Sequence, residues 1–391
     1  MTFRGNQATR DTADCDGGGA LFIGGGSVAR ISNSTFADNQ ANNGGAINSL
    51  RSNLTITGTA FSNNRALHTR TIDARGDCGG GGAVYIDGAR QPEWGGPTPG
   101  VLSNNTFSGN STNNFGGAIF VGLYRNETLV VDRSTFTQNV ATDSLSADDP
   151  SGTSGAIWYG QAGGDAIAPL VVTGSTFIGN RSEGQGGGIW VAAPLTLTNT
   201  TFYENLTVDP DFAPGSNDEW QRGNGGALAV NNAAAVTITN VTFARNRAGF
   251  NGGAIAGGRT VSVRNTLFAN NTADWSIQIM QHCTEALTDA GGNVQFPPRN
   301  PSPFFFNETN CTNAITIADA APQPPADNGG PTQTMALAAG SPAINAGVST
   351  GCPARDQRDR TRTGSCDVGA YEFDAGTFVA SHYRYVPLGG R

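Results

Sequence analysis

The sequence contains no lysine: all 23 of its basic residues are arginine, set against 31 acidic residues for a net charge of −8. A chain with that balance has no basic face with which to hold a phosphate backbone, so nucleic acid is excluded as a partner. Charge is scarce altogether, 14% of residues against about a quarter in ordinary domains, which excludes disorder driven by self-repulsion. Nowhere does an apolar run approach the roughly 18 residues that a transmembrane helix needs. Glycine is abundant, 55 of 391, but never falls at every third position, so a collagen-like coil is out as well. Cysteine is sparse. The six residues (Cys15, Cys78, Cys283, Cys311, Cys352, Cys366) include no C-x-x-C pair, which argues against zinc or dithiol redox chemistry and for disulfides formed in an oxidising compartment.

What the chain has in excess is asparagine, 36 residues, and these are not scattered. Phenylalanine stands at 3, 36, 61, 107, 136, 177, 202, 243 and 268, and each is followed three residues later by an asparagine: Asn6, Asn39, Asn64, Asn110, Asn139, Asn180, Asn205, Asn246 and Asn271. This is an internal repeat. Upstream of the Phe lie apolar pairs separated by one mostly polar residue, such as Leu54/Ile56, Leu129/Val131, Leu195/Leu197, Val236/Ile238 and Val261/Val263. That alternation marks a half-buried strand. Three residues before the Phe comes Asn or Gly (Asn33, Gly58, Asn104, Gly174, Asn199, Asn240, Asn265), with Arg133 as the exception. A bend with positive φ is expected there.

A second element follows each of the first eight asparagines, as in Gly44-Gly45-Ala46-Ile47, Gly81-Gly82-Ala83-Val84, Gly116-Gly117-Ala118-Ile119 and Gly252-Gly253-Ala254-Ile255, with Ser154-Gly155-Ala156 and Gly187-Gly188-Ile189 as variants. The shortest Phe-to-Phe spacing is 25 residues (36 to 61, 177 to 202, 243 to 268). That is too short for a strand, a crossover helix and a return strand, but two or three short strands with tight corners fit. Stacked coils of such rungs repeat about every 4.8 Å. They form parallel sheets with Phe over Phe in the core and Asn over Asn as an amide ladder serving the turns. The expectation is an all-β solenoid of about eight rungs. The gaps from Asn to the next Gly-Gly alternate long and short, so long loops are expected on alternate rungs.

If the aliphatic residue after the Ala points inward, the next one points out. This gives the column Phe22, Asn48, Tyr85, Phe120, Trp158, Trp190, Ala229, Ala256. Its aromatics can stack sugar rings or can be covered by the neighbouring loops. On the first alternative, Phe22, Tyr85, Phe120, Trp158 and Trp190 are a glycan platform. The long loops carry clustered acids, notably Asp11, Asp14, Asp16, Asp209 and Asp211. Such clusters suit Ca²⁺, but no calcium-loop consensus is matched, and solvated loops without a cofactor are the expectation. No catalytic set emerges: the outward column holds no carboxylate, Asp87 lies two residues beyond it, and His68, His282 and His382 fall in loops without a Ser or Cys partner signature. Arg355, Asp356, Arg358 and Asp359 are expected to form an ion-pair network.

The pair Phe-x-x-Asn plus Gly-Gly-Ala-Ile resembles the repeat of the polymorphic outer-membrane proteins, over residues 1 to about 275. That resemblance implies a right-handed parallel β-helix exposed at the surface of a bacterial cell. Residues Asn328-Gly329-Gly330-Pro331-Thr332-Gln333-Thr334, Gly340 to Gly347, Asp356-Gln357-Arg358 and Cys366-Asp367-Val368-Gly369-Ala370-Tyr371-Glu372 resemble the choice-of-anchor Q module, placing a small loop-rich unit at 276–374 and a tail at 375–391. In that family the module follows a surface β-helix and implies attachment to the cell exterior. Spacing within the module pairs Cys352 with Cys366 and Cys283 with Cys311. Cys15 and Cys78 share a column but are separated by one rung, about 10 Å if stacked directly, so only bending loops could join them. The chain opens inside the repeat, so a truncated first rung and no export signal in this chain are expected.

The functional expectation is a non-catalytic, structural or adhesive solenoid at the cell surface, with a polysaccharide or cell-surface glycan as partner. A polysaccharide lyase or glycoside hydrolase of the pectin-active β-helix type is the alternative from a different class. Axial self-association into a fibre is the third.

Overall fold

A computed structural model describes residues 1–8, 17–67, 79–88, 100–124, 127–142, 154–161, 169–208, 223–231, 234–274, 279–299 and 309–373. Among these there is no α-helix; the strands form four sheets. The first sheet has eleven strands, from Thr2–Arg4 to Thr316–Ile317, and the second has ten, from Gln7–Ala8 to Ile279–Met280. The third has eight, from Leu21–Ile23 to Ile255–Ala256, and the fourth has nine, from Val28–Ser32 to Thr288–Asp289. Neighbouring strands are parallel and in register, Phe3 beside Phe36, Phe36 beside Phe61 and so on to Phe268; among the described strands the exception is the last pair of the second sheet, Thr272–Ala273 with Ile279–Met280, which is antiparallel. The chain is a parallel β-solenoid. A full rung uses four strands rather than two or three. The second-sheet strands, such as Gln40–Ala41 and Arg65–Ala66, are only two residues long and too short to display an alternation in sequence.

The core is one continuous column of stacked side chains. Successive rings from Phe3 to Phe268 stack with centroids 4.6 to 5.5 Å apart. Leu54, Ile56, Leu129, Val131, Leu195, Leu197, Val236, Ile238, Val261 and Val263 all face inward and are buried. The asparagine column forms the ladder that the repeat implies. In Asn64, for example, the amide Nδ2 donates to Asn110 Oδ1 (2.9 Å) and to Phe36 O (2.9 Å), while the backbone N donates to that same Asn110 oxygen (3.0 Å). The pattern recurs from Asn6 to Asn271, satisfying at every corner backbone groups that would otherwise be buried without partners. A second ladder, two residues before the Phe, uses hydroxyls and amides: Thr59 N donates to Asn105 Oδ1, Asn105 N to Ser134 Oγ, Ser134 N to Ser175 Oγ and Thr266 N to Asn293 Oδ1, while the buried Val241 interrupts it before Phe243.

The corners are backbone bends in the left-handed region. The expected one lies three residues before the Phe (Asn33 to Asn265), and Arg133, the sequence exception, adopts it too with φ 44°. A second, two residues after the Phe, is carried by residues as varied as Asp38, Gln138, Glu204 and Arg245. The Gly-Gly pair serves two separate needs. Gly44 has φ 57° and a Cβ there would lie 1.9 Å from Ile47 O of its own rung, whereas a Cβ on Gly45 would lie 2.1 Å from Gly82 O of the next rung. The first glycine supplies the left-handed dihedral and room for its own strand, the second the room for the neighbouring rung.

Parallel pairing continues past residue 275: Thr288–Asp289 extends the fourth sheet, and Val294–Phe296 followed by Thr316–Ile317 extends the first. The C-terminal end of the core is closed by His282, Leu287, Ile315 and the disulfide Cys283–Cys311. His282 ends the asparagine ladder. Its Nδ1 faces Asn271 Nδ2 (3.0 Å) and its Nε2 faces Pro297 O (3.1 Å). Because the amide donates and the carbonyl accepts, only the neutral ring protonated on Nε2 satisfies both. Burial pushes the pKa of His282 down to about 4, opposed by the bond to Pro297 O.

Residues 318–373 then fold as a strap over the outer face of the first sheet, from Thr176 to Val294. Leu267 and Val294 pack against Ala320, Leu337, Ala343 and Val368. Gln357 is the hub: its Oε1 accepts from Thr201 Oγ1 (2.7 Å), and its Nε2 lies within bonding distance of Thr176 Oγ1 (2.7 Å), Ser175 O (3.1 Å) and Gln333 O (3.1 Å). The disulfide Cys352–Cys366 is formed within the strap. The four expected charges form two ion pairs, Arg358 with Asp356 (2.6 Å) and Arg355 with Asp359 (3.7 Å), and Arg362 with Glu372 (2.7 Å) adds one outside that expected set. Burial raises the pKa of Glu372, against the opposing pull of the Asp367 amide and Arg362.

Candidate functional site

Two features on the outer surface have the makings of a site. The first is the outward column of the third sheet, which assembles in the anticipated register: Phe22, Asn48, Tyr85, Phe120, Trp158, Trp190, Ala229 and Ala256 lie side by side. Tyr85, Phe120, Trp158 and Trp190 stack at 4.5, 4.5 and 5.1 Å, with planes within 11° of parallel. Phe22 stands apart, exposed, because Asn48 separates it from Tyr85. The stack is covered unevenly. Tyr85 and Phe120 are buried against Gly80 and Phe115, whereas Trp158 and Trp190 are half-buried, with Trp190 Nε1 donating to Gln185 Oε1 (3.2 Å). Both faces of the Phe120 and Trp158 rings are occupied by neighbouring rings, so these two present edges outward. A sugar lies flat on an aromatic face; of the two ends of the stack, Tyr85 is buried and Trp190 half-buried. Asp87, two residues beyond Tyr85 on the same strand, is engaged with the Tyr124 hydroxyl, whose pKa is raised chiefly by burial; Arg51 sits 5.0 Å over the same ring.

The second feature is a cleft of about 860 Å³ between the fourth sheet and the strap, a volume within the usual range of ligand sites. Its floor is the outward face of five consecutive rungs. One column runs Thr57, Ser103, Asp132, Thr173, Thr198, and beside it lie Val101 and Val130. One rim is the left-handed bend with Asn104, Arg133, Gly174 and Asn199. The opposite wall is Pro353 to Gln357 and Asp359 of the strap, tied to the solenoid by the bond from Asn199 Nδ2 to Arg355 O (2.7 Å).

Within the floor one rung breaks the repeat twice. Its column otherwise carries hydroxyls from Ser32 to Thr239, yet Asp132 is an acid; the bend otherwise carries Asn or Gly from Asn33 to Asn265, yet position 133 is arginine. Asp132 Oδ2 accepts from Arg133 Nε (2.7 Å) and Ser103 Oγ (3.1 Å). Facing residues on the wall form a second charge pair, Arg355 and Asp359, and Asp359 also has a left-handed backbone, φ 66°. The sequence reading missed this cleft. The only signal available to it was the departure of Asp132 and Arg133 from their columns.

Asp11, Asp14, Asp16, Asp209 and Asp211, together with Cys15, Cys78, His68 and His382, lie outside the described residues, as does the tail from 374. Among the described residues no group of three or more His, Cys, Asp or Glu side chains gathers as a metal site, and no helix is long and apolar enough to cross a membrane.

The family model of the Chlamydia polymorphic membrane protein (Chlamydia_PMP) repeat matches residues 58–87 and 174–192. Each segment includes a Phe and its paired Asn: Phe61 and Asn64 in one, Phe177 and Asn180 in the other. Neither the curated proteins nor the solved structures compared with the chain include one that matches it.

Proposed function

We propose that the chain is a surface-exposed solenoid of a bacterial envelope, a structural or adhesive element that retains polysaccharide without turning it over. The observation that carries this reading is the match of two separate rungs to a repeat named for a membrane protein. It is supported by a long rigid body whose side chains are committed rung by rung to stacking, and by the strap, whose Asp356-Gln357-Arg358 and Cys366 to Glu372 segments resemble an anchoring module. On this reading the strap stiffens the part of the solenoid nearest the cell, and further sequence supplies attachment.

A second reading, a polysaccharide lyase or glycoside hydrolase, is favoured by one specific observation: Asp132 on the floor and Asp359 on the wall line the same cleft. Hydrolysis of a glycosidic bond needs two such carboxyl groups flanking the scissile bond.

One experiment separates the two. The protein is incubated with a panel of soluble polysaccharides while retention and the appearance of reducing or unsaturated ends are followed together, and cells producing it are treated with protease before lysis. Retention without new chain ends, with loss of the protein from intact cells, is the expected outcome. Sustained release of chain ends makes it an enzyme, and protection from protease on intact cells removes the surface assignment.

A further inference from the structure

We infer that the cleft between the fourth sheet and the strap is a binding site for a neutral, linear polysaccharide, with Asp132, Arg133, Arg355 and Asp359 as its specificity-determining residues. The inference rests on the surface reading above and assigns that reading's ligand to a place.

The argument begins with the floor. Its backbone is already paired on both sides within the fourth sheet, so a peptide finds no open strand edge to extend. What the floor offers is hydroxyl groups (Thr57, Ser103, Thr173, Thr198) beside the apolar surface of Val101 and Val130. The column repeats once per rung, about every 4.8 Å, with a hydroxyl on four of the five rungs and Asp132 on the middle one. A ligand meeting the same surface again at each rung must itself repeat with a similar step, and extended hexopyranose chains do so while exposing both hydroxyls and C–H faces.

Charge then selects among such chains. The cleft sets Arg133 against Asp132 and Arg355 against Asp359, and Asp356, the remaining acid, is bonded to Arg358. A uronate or sulfated chain would need unpaired cations, whereas each of these arginines already lies beside a carboxylate. Adjacent guanidinium and carboxylate groups present donors and acceptors side by side, the pattern that vicinal hydroxyls match.

The repeat itself supplies the last observation. A rung built only for stability would carry Thr or Ser at 132 and Asn or Gly at 133, as its neighbours do. Placing Arg in the left-handed bend costs stability, and both departures fall in the middle of the five rungs that line the cleft.

The test uses that same repeat. The double variant Asp132→Thr, Arg133→Asn restores the column residues, so it keeps the fold and melts no lower than the parent chain. Binding is measured by affinity electrophoresis and calorimetry, with soluble neutral glucans, mannans and xylans beside oligogalacturonate as an anionic probe. The parent is expected to bind at least one neutral chain, and the variant to bind it at least tenfold more weakly with an unchanged or higher melting temperature. Undiminished binding by the variant overturns the inference while leaving the surface reading standing. So does loss of binding in Trp158→Ala alone, which moves the ligand to the aromatic stack. Preference for oligogalacturonate overturns the neutral assignment. Failure of every neutral chain to bind the parent overturns the site outright, while protease removal of the protein from intact cells still supports its place at the surface.

Discussion

Lowering the pH removes stability from the C-terminal end of the solenoid through a single group. His282 is fully buried, and burial lowers its pKa from 6.5 to about 4 against the opposing bond to Pro297 O; the neutral ring accepts from Asn271 and donates to Pro297 O. In the unfolded chain the ring takes up a proton near pH 6.5; in the folded one it does so only near 4. Below 6.5 the unfolded state therefore binds more protons, and the stabilising difference, complete above that pH, falls away until both states are charged. A gap of about 2.5 pH units corresponds to at most about 3 kcal/mol, of which about 2 kcal/mol is gone by pH 5. Other groups titrate over this range, Glu372 in the opposite sense since its pKa is raised, so the measurement is a difference. The variant His282→Gln retains an acceptor and a donor and cannot titrate. Denaturant unfolding of both proteins from pH 7.5 to 4 should show the parent losing about 2 kcal/mol more than the variant by pH 5. Parallel curves would refute the assignment of His282 as the neutral terminus of the ladder.

Two other substitutions test the packing argument. Phe243, buried and stacked between Phe202 and Phe268 at 5.0 and 5.5 Å, should cost about 3–5 kcal/mol when replaced by Ala; a loss below about 1 kcal/mol in denaturant melts would contradict its place in the column. Gly187→Ala puts a Cβ 2.2 Å from Gly226 O, and Gly179→Ala meets nothing nearer than 3.7 Å although its φ is 61°. The first should cost about 3 kcal/mol or more and the second about 1 kcal/mol; equal melting temperatures for the two would mean that rung spacing is looser than described.

Much of the fold was legible because a solenoid writes each contact into the sequence several times. Phe61 meets Phe36 and Phe107 because the same letter recurs in phase, and Cys352 and Cys366 are close in the chain as well as in space. The second sheet was not legible, since strands of two residues carry no period. Nor was the bend two residues after each Phe, because Asp38, Gln138, Glu204 and Arg245 share no local signal; the stacked rungs impose that conformation on whichever residue arrives. The cleft was hidden for a different reason. Its wall and floor are joined by contacts such as Asn199 to Arg355, 156 residues apart and with no repeat relating them. His282 resembled a loop histidine because its role depends on where the ladder happens to stop.

The strap has a consequence for how this molecule can change length. An unadorned solenoid tolerates the gain or loss of a coil anywhere, since every layer sees only its neighbours. Here Gln357 reaches Thr176 and Thr201, Ala370 N reaches Thr242 Oγ1, and Val348 N reaches Asn265 Oδ1, so the strap works as a ruler laid against consecutive layers. Duplicating a coil between 176 and 265 would throw every later graduation out by one division, whereas a duplication before Thr135 would leave the ruler undisturbed. Natural variation in height should accordingly accumulate on the side of the molecule that carries Phe36 and Phe61.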